Sequence, residues 1–322
     1  MSTMRCVVTG ASGFLGGALV TRLVEQGSTV LAVVRPESKL WRLLPVIESI
    51  ELAYASLQDI SSIESQIVDF KPGIVYHAAW SGGDSSKYLN SLDQMTNVPG
   101  SLELVNLAGR AQAKAFIFFG SGVEYGKFRV PVSENDVAEP NNLYGATKLT
   151  TGIATKSLCD MWKMRYCCVR PFWTYGPKDS DLRMIPSLTE QLLDRKRPSL
   201  TKGDQLWDYL YIDDATDALV SLGQTPDAKG IFNLASGQAV PLRSVIEGIR
   251  DLIDPTLELG LGDVPYGPHQ VMHLQASIDR LKEVTGWQPK VGLVDGLKAT
   301  VAWHQTQRPQ GWPRIKDIPK DT

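Results

Sequence analysis

Short runs of β-branched and aromatic residues recur along the first half of the chain, at 6–9, 30–34, 50–53, 74–78, 115–119 and 165–170. Each is bounded by turn-forming or polar residues and has the length of one buried strand. Between the first two, Leu15, Ala18, Leu19 and Leu23 fall at helical spacing and mark an amphipathic helix that stops at Gly27. Strand, turn, helix and strand make one βαβ unit. Pro72-Gly73 sets a turn before the fourth strand, and Pro131 and Pro140 bracket a polar loop before a helix that begins near Tyr144. The alternation predicts an α/β fold, a doubly wound parallel sheet covered by helices on both faces.

After Pro171 the alternation gives way to stretches punctuated by Gly and Pro, with helical segments at 185–193, 213–222 and 242–252. The organisation expected is a dinucleotide-binding domain over 1–175 with returning segments at about 208–240. A smaller, discontinuous substrate-binding region then takes 176–207 and 241–322. The stretch 305–322 is polar, carries three prolines, and is expected to be disordered or to wrap the surface.

Charge narrows the partners. Lys and Arg number 33 against 35 Asp and Glu, a formal net charge of -2, so no global field draws the chain to nucleic acid or to an anionic membrane. A small-molecule substrate and other subunits are the partners expected. The N-terminus lacks the unbroken apolar core of a signal peptide, and no long apolar run spans a membrane, so cytoplasmic residence is expected. Cys6, Cys159, Cys167 and Cys168 lack metal-ligand spacing and are read as reduced, buried and inert. His77, His269, His273 and His304 show no metal-like spacing either, and a structural or surface role is expected for each.

Gly10-Ala11-Ser12-Gly13-Phe14-Leu15-Gly16 follows the first strand and opens the first helix. Gly10 permits a tight turn, Gly13 lets a phosphate approach the backbone, and Gly16 lets the helix pack closely on the sheet. The helix N-terminus then faces a pyrophosphate, the arrangement of a Rossmann site. An acidic residue about 20 positions on would bind a ribose 2′-hydroxyl; here Val34 stands there, with Arg35 beside it, which favours NADP, with NAD as second choice.

Tyr144 and Lys148 lie four residues apart, on one face of a helix. A phenol near its reference pKa of about 10 moves protons poorly at neutral pH, and an adjacent ammonium stabilises the phenolate. Ser121 stands just beyond the strand at 115–119, at the edge where open α/β sheets hold ligands, with a hydroxyl for the reacting oxygen. The three together bind a carbonyl or alcohol and exchange its proton. Glu124 either reaches the substrate or caps a loop.

With these residues in order, the chain resembles an extended short-chain dehydrogenase/reductase of the NAD-dependent epimerase/dehydratase family. The matching segments are Thr9 to Gly16, His77-Ala78-Ala79-Trp80, Asn97-Val98, Gly120 to Gly126, Tyr144 to Lys148, Tyr175-Gly176-Pro177 and Tyr211-Ile212-Asp213-Asp214. Family-like turns follow at Phe232 to Gly237 and Gly286 to Pro289. The resemblance implies that the backbone from His77 to Trp80 lines the cofactor, that Ser56 and Leu57 approach the adenine, and that Phe172 lies near the nicotinamide. It also implies a homodimer paired through the helix at Tyr144 and the preceding one near 92–109.

The family's 4,6-dehydratases carry an acidic pair directly after the catalytic Ser/Thr. Here Gly122 and Val123 occupy those positions. That leaves 4-epimerisation or 4-ketoreduction of a nucleotide sugar as the leading chemistry. Ser81, Ser121, Glu124, Trp173, Arg183 and Trp207 are the residues expected to meet substrate. By the resemblance, an Asn and two Arg that clamp a diphosphate are replaced by Trp173, Trp207 and Gly267, with Arg183, Lys178 or Lys202 available to take over. Two alternatives stand beside this reading: a reductase of a non-nucleotide metabolite, and a cofactor-binding regulatory protein without catalysis.

Overall fold

The computed structural model describes residues 4–82, 89–126, 130–267 and 270–306. His269 and residues 307–322, most of the tail read above as disordered or surface-wrapping, lie outside the described residues. Six strands appear where the apolar runs place them: β1 (Arg5–Thr9), β2 (Thr29–Val34), β3 (Glu51–Tyr54), β4 (Ile74–His77), β5 (Ala115–Phe119) and β6 (Arg165–Pro171). The later strands are β7 (Trp173–Tyr175), β8 (Ser199–Leu200), β9 (Leu206–Tyr211), β10 (Gly230–Leu234), β11 (Ala239–Pro241), β12 (Gly260–Leu261) and β13 (His273–Leu274). The helices are α1 (Phe14–Glu25), α2 (Glu64–Phe70), α3 (Asn97–Arg110), α4 (Leu143–Met161), α5 (Met184–Leu193), α6 (Ile212–Gln224), α7 (Leu242–Ile253), α8 (Asp279–Thr285) and α9 (Leu293–Thr306).

The main sheet runs β3-β2-β1-β4-β5-β6-β10, every pair parallel. Strand pleating sends alternate residues to opposite faces. Cys6 and Val8 of β1, with Ile117 and Phe119 of β5, enter a core closed by Leu19 and Leu23 of α1 and Leu219 and Leu222 of α6. Val7, Phe116 and Phe118 enter the other, closed by Ile67 and Phe70 of α2, Leu104 and Leu107 of α3 and Cys159 of α4. Because the order reverses beside β1, the loops after β1 and β4 part to opposite faces and leave a crevice between them, where open α/β sheets place their ligands.

α4 carries the expected Tyr144 and Lys148 and has an unusual buried face: Gly145, Thr147, Lys148, Thr151, Thr155 and Cys159. The Thr151 and Thr155 hydroxyls donate to the carbonyls of Thr147 and Thr151 at 2.7 and 2.8 Å, and the Tyr166 hydroxyl of β6 ties the same face to the sheet by donating to the Gly152 carbonyl at 2.9 Å. Leu149, Ile153 and Leu158 do not share one face: Leu158 packs half-buried against the core between α4 and the sheet, whereas Ile153 turns outward. Ile153 is 61% exposed.

Two features of the second half are not read from the sequence pattern. β10 extends the main sheet as its seventh strand, and α9 packs beside α5 and α7 over a third core that contains Tyr175, Leu188, Val245, Leu297 and Val301. Gly296 inside α9 disguises a helix. It is there because a side chain would collide with the Tyr175 hydroxyl. β7 lies parallel beside β9, and β11 and β13 complete that smaller sheet. Among the described residues no helix is long and apolar enough to cross a membrane.

Candidate active site

The loop after β1 is shaped by steric exclusion. Gly10 has φ +67°, and a Cβ there would lie 2.7 Å from the Ala79 nitrogen; a Cβ on Gly16 would run into the Gly10 carbonyl. β1, its turn and the end of β4 therefore touch backbone to backbone. Gly13 is exposed at the N-cap of α1 and has no side chain to cap it, so the first N–H groups of the helix are left for an anion. Phe14 and Leu15 begin that helix half-buried, and the Ser12 hydroxyl donates to that of Ser38 at 3.1 Å. This cradle fits a dinucleotide pyrophosphate. Arg35, just past β2, is exposed and reaches Glu37 at 3.2 Å. Ser56 stands at the start of the helical turn after β3 with no capping bond from its side chain, and Leu57 is buried beneath α3, where Gly100 leaves room for its carbonyl.

His77, at the end of β4, is locked by a directional chain of hydrogen bonds. Ser101 donates to the Asn97 carbonyl at 2.8 Å, so its oxygen accepts from His77 Nε2 at 2.9 Å. Nδ1 then accepts from Thr9 at 2.8 Å, and Thr9 accepts from the Ala79 N–H at 3.2 Å. Burial, with the nearby Lys148 charge, pushes His77 down to about 3, so it stays neutral. The role is structural, as expected. It aims Ala78, Ala79 and Trp80 across the crevice. Asn97 then holds Ser81 through both its N–H and its carbonyl, at 2.8 and 3.1 Å.

Beyond β5, Ser121 is 8% exposed and caps a short helical turn, its oxygen accepting from the Val123 N–H at 3.2 Å. Tyr144 and Lys148 come from the first turns of α4, with Asn142 as its N-cap. The Tyr144 ring meets Trp80 edge-on at 6.3 Å. Lys148 is 3% exposed and donates to the Phe119 carbonyl at 2.7 Å. Burial pushes its ammonium down to about 7, against the opposing pull of Glu124 and Cys168. Phe172 packs against Gly122 and Tyr125 at the end of β6. The residues expected to serve cofactor and catalysis thus all lie beyond the carboxyl ends of the parallel strands.

Glu124 requires a correction. Its carboxylate is 1% exposed, accepts from the Ser121 N–H at 2.8 Å and pairs with Arg170 at 2.8 Å, so it turns inward and does not face substrate. Gly120 makes the space, since a side chain there would collide with that carboxylate. Burial raises the Glu124 carboxyl above the ordinary range even beside the guanidinium. Arg170 and Gln94, both buried in the walls of the site, carry no signal in the linear sequence because their partners lie in other elements.

A second cluster forms on the smaller sheet. Trp173 and Trp207 have ring centroids 4.8 Å apart, and the Arg183 guanidinium lies 4.9 Å over Trp173. Arg183 also pairs with Asp179 at 3.3 Å, and the Trp207 N–H is taken by the Val271 carbonyl at 2.9 Å. Gly267 is exposed, with nothing within 4 Å of where a side chain would start. The described residues hold no group of His, Cys, Asp and Glu that would bind a metal. All four cysteines are buried and free, and burial pushes Cys6 up to about 12 and Cys167 to about 11, which leaves them unreactive.

Fold and site together define an enzyme of the short-chain dehydrogenase/reductase type. Residues 6–235 match the model of the NAD dependent epimerase/dehydratase family, and the chain belongs to that family. It is 27% identical to a UDP-glucose 4-epimerase of Mycolicibacterium smegmatis, over 94% of this chain and 99% of the relative. It is 28% identical to a GDP-6-deoxy-D-mannose reductase of Pseudomonas aeruginosa, over 95% and 99%. The crystal structure of a Thermotoga maritima UDP-glucose 4-epimerase with UDP-glucose superposes with a TM-score of 0.85 at 25% identity, covering 94% of this chain and 99% of that one.

Removing one member of a buried pair leaves the other charge without compensation. Arg170→Met is expected to cost about 3–5 kcal/mol by chemical denaturation, and adding Glu124→Gln, which keeps the cap on Ser121, should recover most of it. A loss below about 1 kcal/mol would show that the pair is solvated.

Proposed function

We propose that this enzyme interconverts a secondary alcohol and a ketone on a sugar-like substrate, as a nucleotide-sugar 4-epimerase or 4-ketoreductase. The observation that supports the reading is that α4, which carries Tyr144 and Lys148, packs at Gly145 and Lys148 against the end of β5 and the turn that Ser121 caps. When bound there, the nicotinamide cofactor supplies or takes up a hydride. Ser121 orients the reacting oxygen, Tyr144 exchanges its proton, and the Lys148 ammonium lowers the cost of the phenolate. Phe172 and Trp80 help to exclude water. Elimination is disfavoured because Gly122 has no side chain and the position of its absent Cβ is 3.2 Å from the Phe172 ring. Tyr144→Phe should reduce turnover of 4-keto sugars by roughly 100-fold or more while cofactor affinity stays near normal. Near-normal turnover by that variant would refute the assigned roles.

NADP is placed ahead of NAD, because the exposed Arg35 can exchange a weak surface pair with Glu37 for a 2′-phosphate. A second substrate reading, a metabolite without a nucleotide, is supported by the Trp173–Trp207 cluster, since indoles favour stacking and do not solvate a diphosphate. Arg183, over Trp173, is the cation placed to serve a phosphate if one binds. One set of calorimetric titrations tests both points. NADPH should bind more tightly than NADH, and Arg35→Ala should erase the difference; equal native affinities would remove the NADP preference. Micromolar binding of UDP, dTDP, GDP or CDP with cofactor present supports the nucleotide reading, and silence from all four supports the metabolite.

Exposed Ile153 and Met161 of α4, with exposed Leu92 and Met95 in the turn before α3, support pairing of two copies through these helices. Light scattering at micromolar protein should give twice the chain mass; the monomer mass would exclude the dimer.

A further inference from the structure

The end of β4 delivers a tryptophan to the catalytic lysine. The Lys148 ammonium lies 3.8 Å from the centre of the Trp80 ring and 5.4 Å from that of Phe118, while the Phe119 carbonyl accepts one of its N–H groups. The indole is itself held. Its Nε1–H donates to Gln94 Oε1 at 2.7 Å, the Gln94 amide donates to the Gly82 carbonyl at 2.8 Å, and Gln94 is fully buried. Tyr144 approaches the same ring edge-on. We propose that Trp80 is a positioning residue of the proton relay: its indole face, fixed by Gln94, holds the Lys148 ammonium in place beneath the Tyr144 helix turn.

The inference rests on the reading of Lys148 as the cation of that relay, and the physical reason is the cost of a buried charge. An ammonium withdrawn from water needs compensation, and the negative face of an indole gives more of it than any aliphatic side chain. Among the described residues, three titratable groups from the surrounding elements act on this lysine: Glu124 in the turn after β5, Cys168 on β6 and His77 at the end of β4. Glu124 and Cys168 favour the cation, and His77 is held neutral near neutral pH. None of these three is replaced in a Trp80 variant. Loss of the indole face therefore favours the neutral amine, and the cation is lost at lower pH.

The test is an NMR titration of the Lys148 side chain in the full chain without cofactor, its signal identified by its disappearance in Lys148→Met. Trp80→Leu should lower the Lys148 midpoint by about one pH unit, a tenfold change, and Trp80→Phe should lower it by less. The basic limb of the kcat profile on a 4-keto sugar should move down with it. An unchanged midpoint in folded Trp80→Leu overturns the proposal; if that variant does not fold, an unchanged midpoint in Trp80→Phe does so. A shifted midpoint in a native protein that turns over no substrate would refute the proposed activity and leave the hold of Trp80 on Lys148 standing. Turnover with an unmoved midpoint would do the reverse.

Discussion

Gly10 brings the end of β1 against the backbone of Ala78 and Ala79 so closely that no side chain fits between them, and the rest of the site is built outward from that contact. Hydrogen bonds fix what sterics allow. Thr9, His77 and Ser101 link the ends of β1 and β4 to the first turn of α3 in one chain of donors and acceptors. A protonated His77 would place a donor against Thr9 and break the sequence of roles, so its burial as a neutral ring is part of the architecture. From there the backbone from Ala78 to Gly82 has one course, toward Asn97 and Gln94.

That course decides how the buried charges are compensated. Lys148, Glu124 and Arg170 are each withdrawn almost completely from water in the wall of the crevice. Such charges are costly to bury, and each survives through specific partners: a guanidinium for Glu124, the Tyr125 ring 4.2 Å beneath Arg170, a carbonyl and an indole for Lys148. Because the partners come from β4, β5, β6 and α4, the charges lock these elements to one another. A site that moves a proton gains from this rigidity, since small displacements of its groups weaken catalysis.

The match to relatives runs along nearly the whole chain. Gly122 and Val123, in the turn after Ser121, carry no acidic side chain. Trp173, Trp207 and Arg183 form a stacking surface on the smaller sheet. A fold of this kind hosts many chemistries because the loops past the strand ends change while the sheet does not.

The sequence by itself determined what depends on near neighbours. Strand pleat and helix period are written within a few residues, so six strands, α1 and the helices at Ile212 and Leu242 are legible, as are the glycine turn and the four-residue spacing of Tyr144 and Lys148. Only the tertiary structure decided what depends on residues far apart in the chain. Glu124 has an acidic side chain three positions from the candidate serine Ser121 in the sequence, yet it is turned inward by an arginine 46 positions away. The small polar face of α4, with Thr151 and Thr155, is the one that packs inward, while Ile153 turns out and Leu158 stays against the core. α9 is hidden by Gly296, whose reason is the hydroxyl of Tyr175 in another element. Trp80 becomes the neighbour of Lys148 only when β4 and α4 converge. Local periodicity sets which elements form, whereas packing volume and the need to pair every buried charge choose which side chains meet.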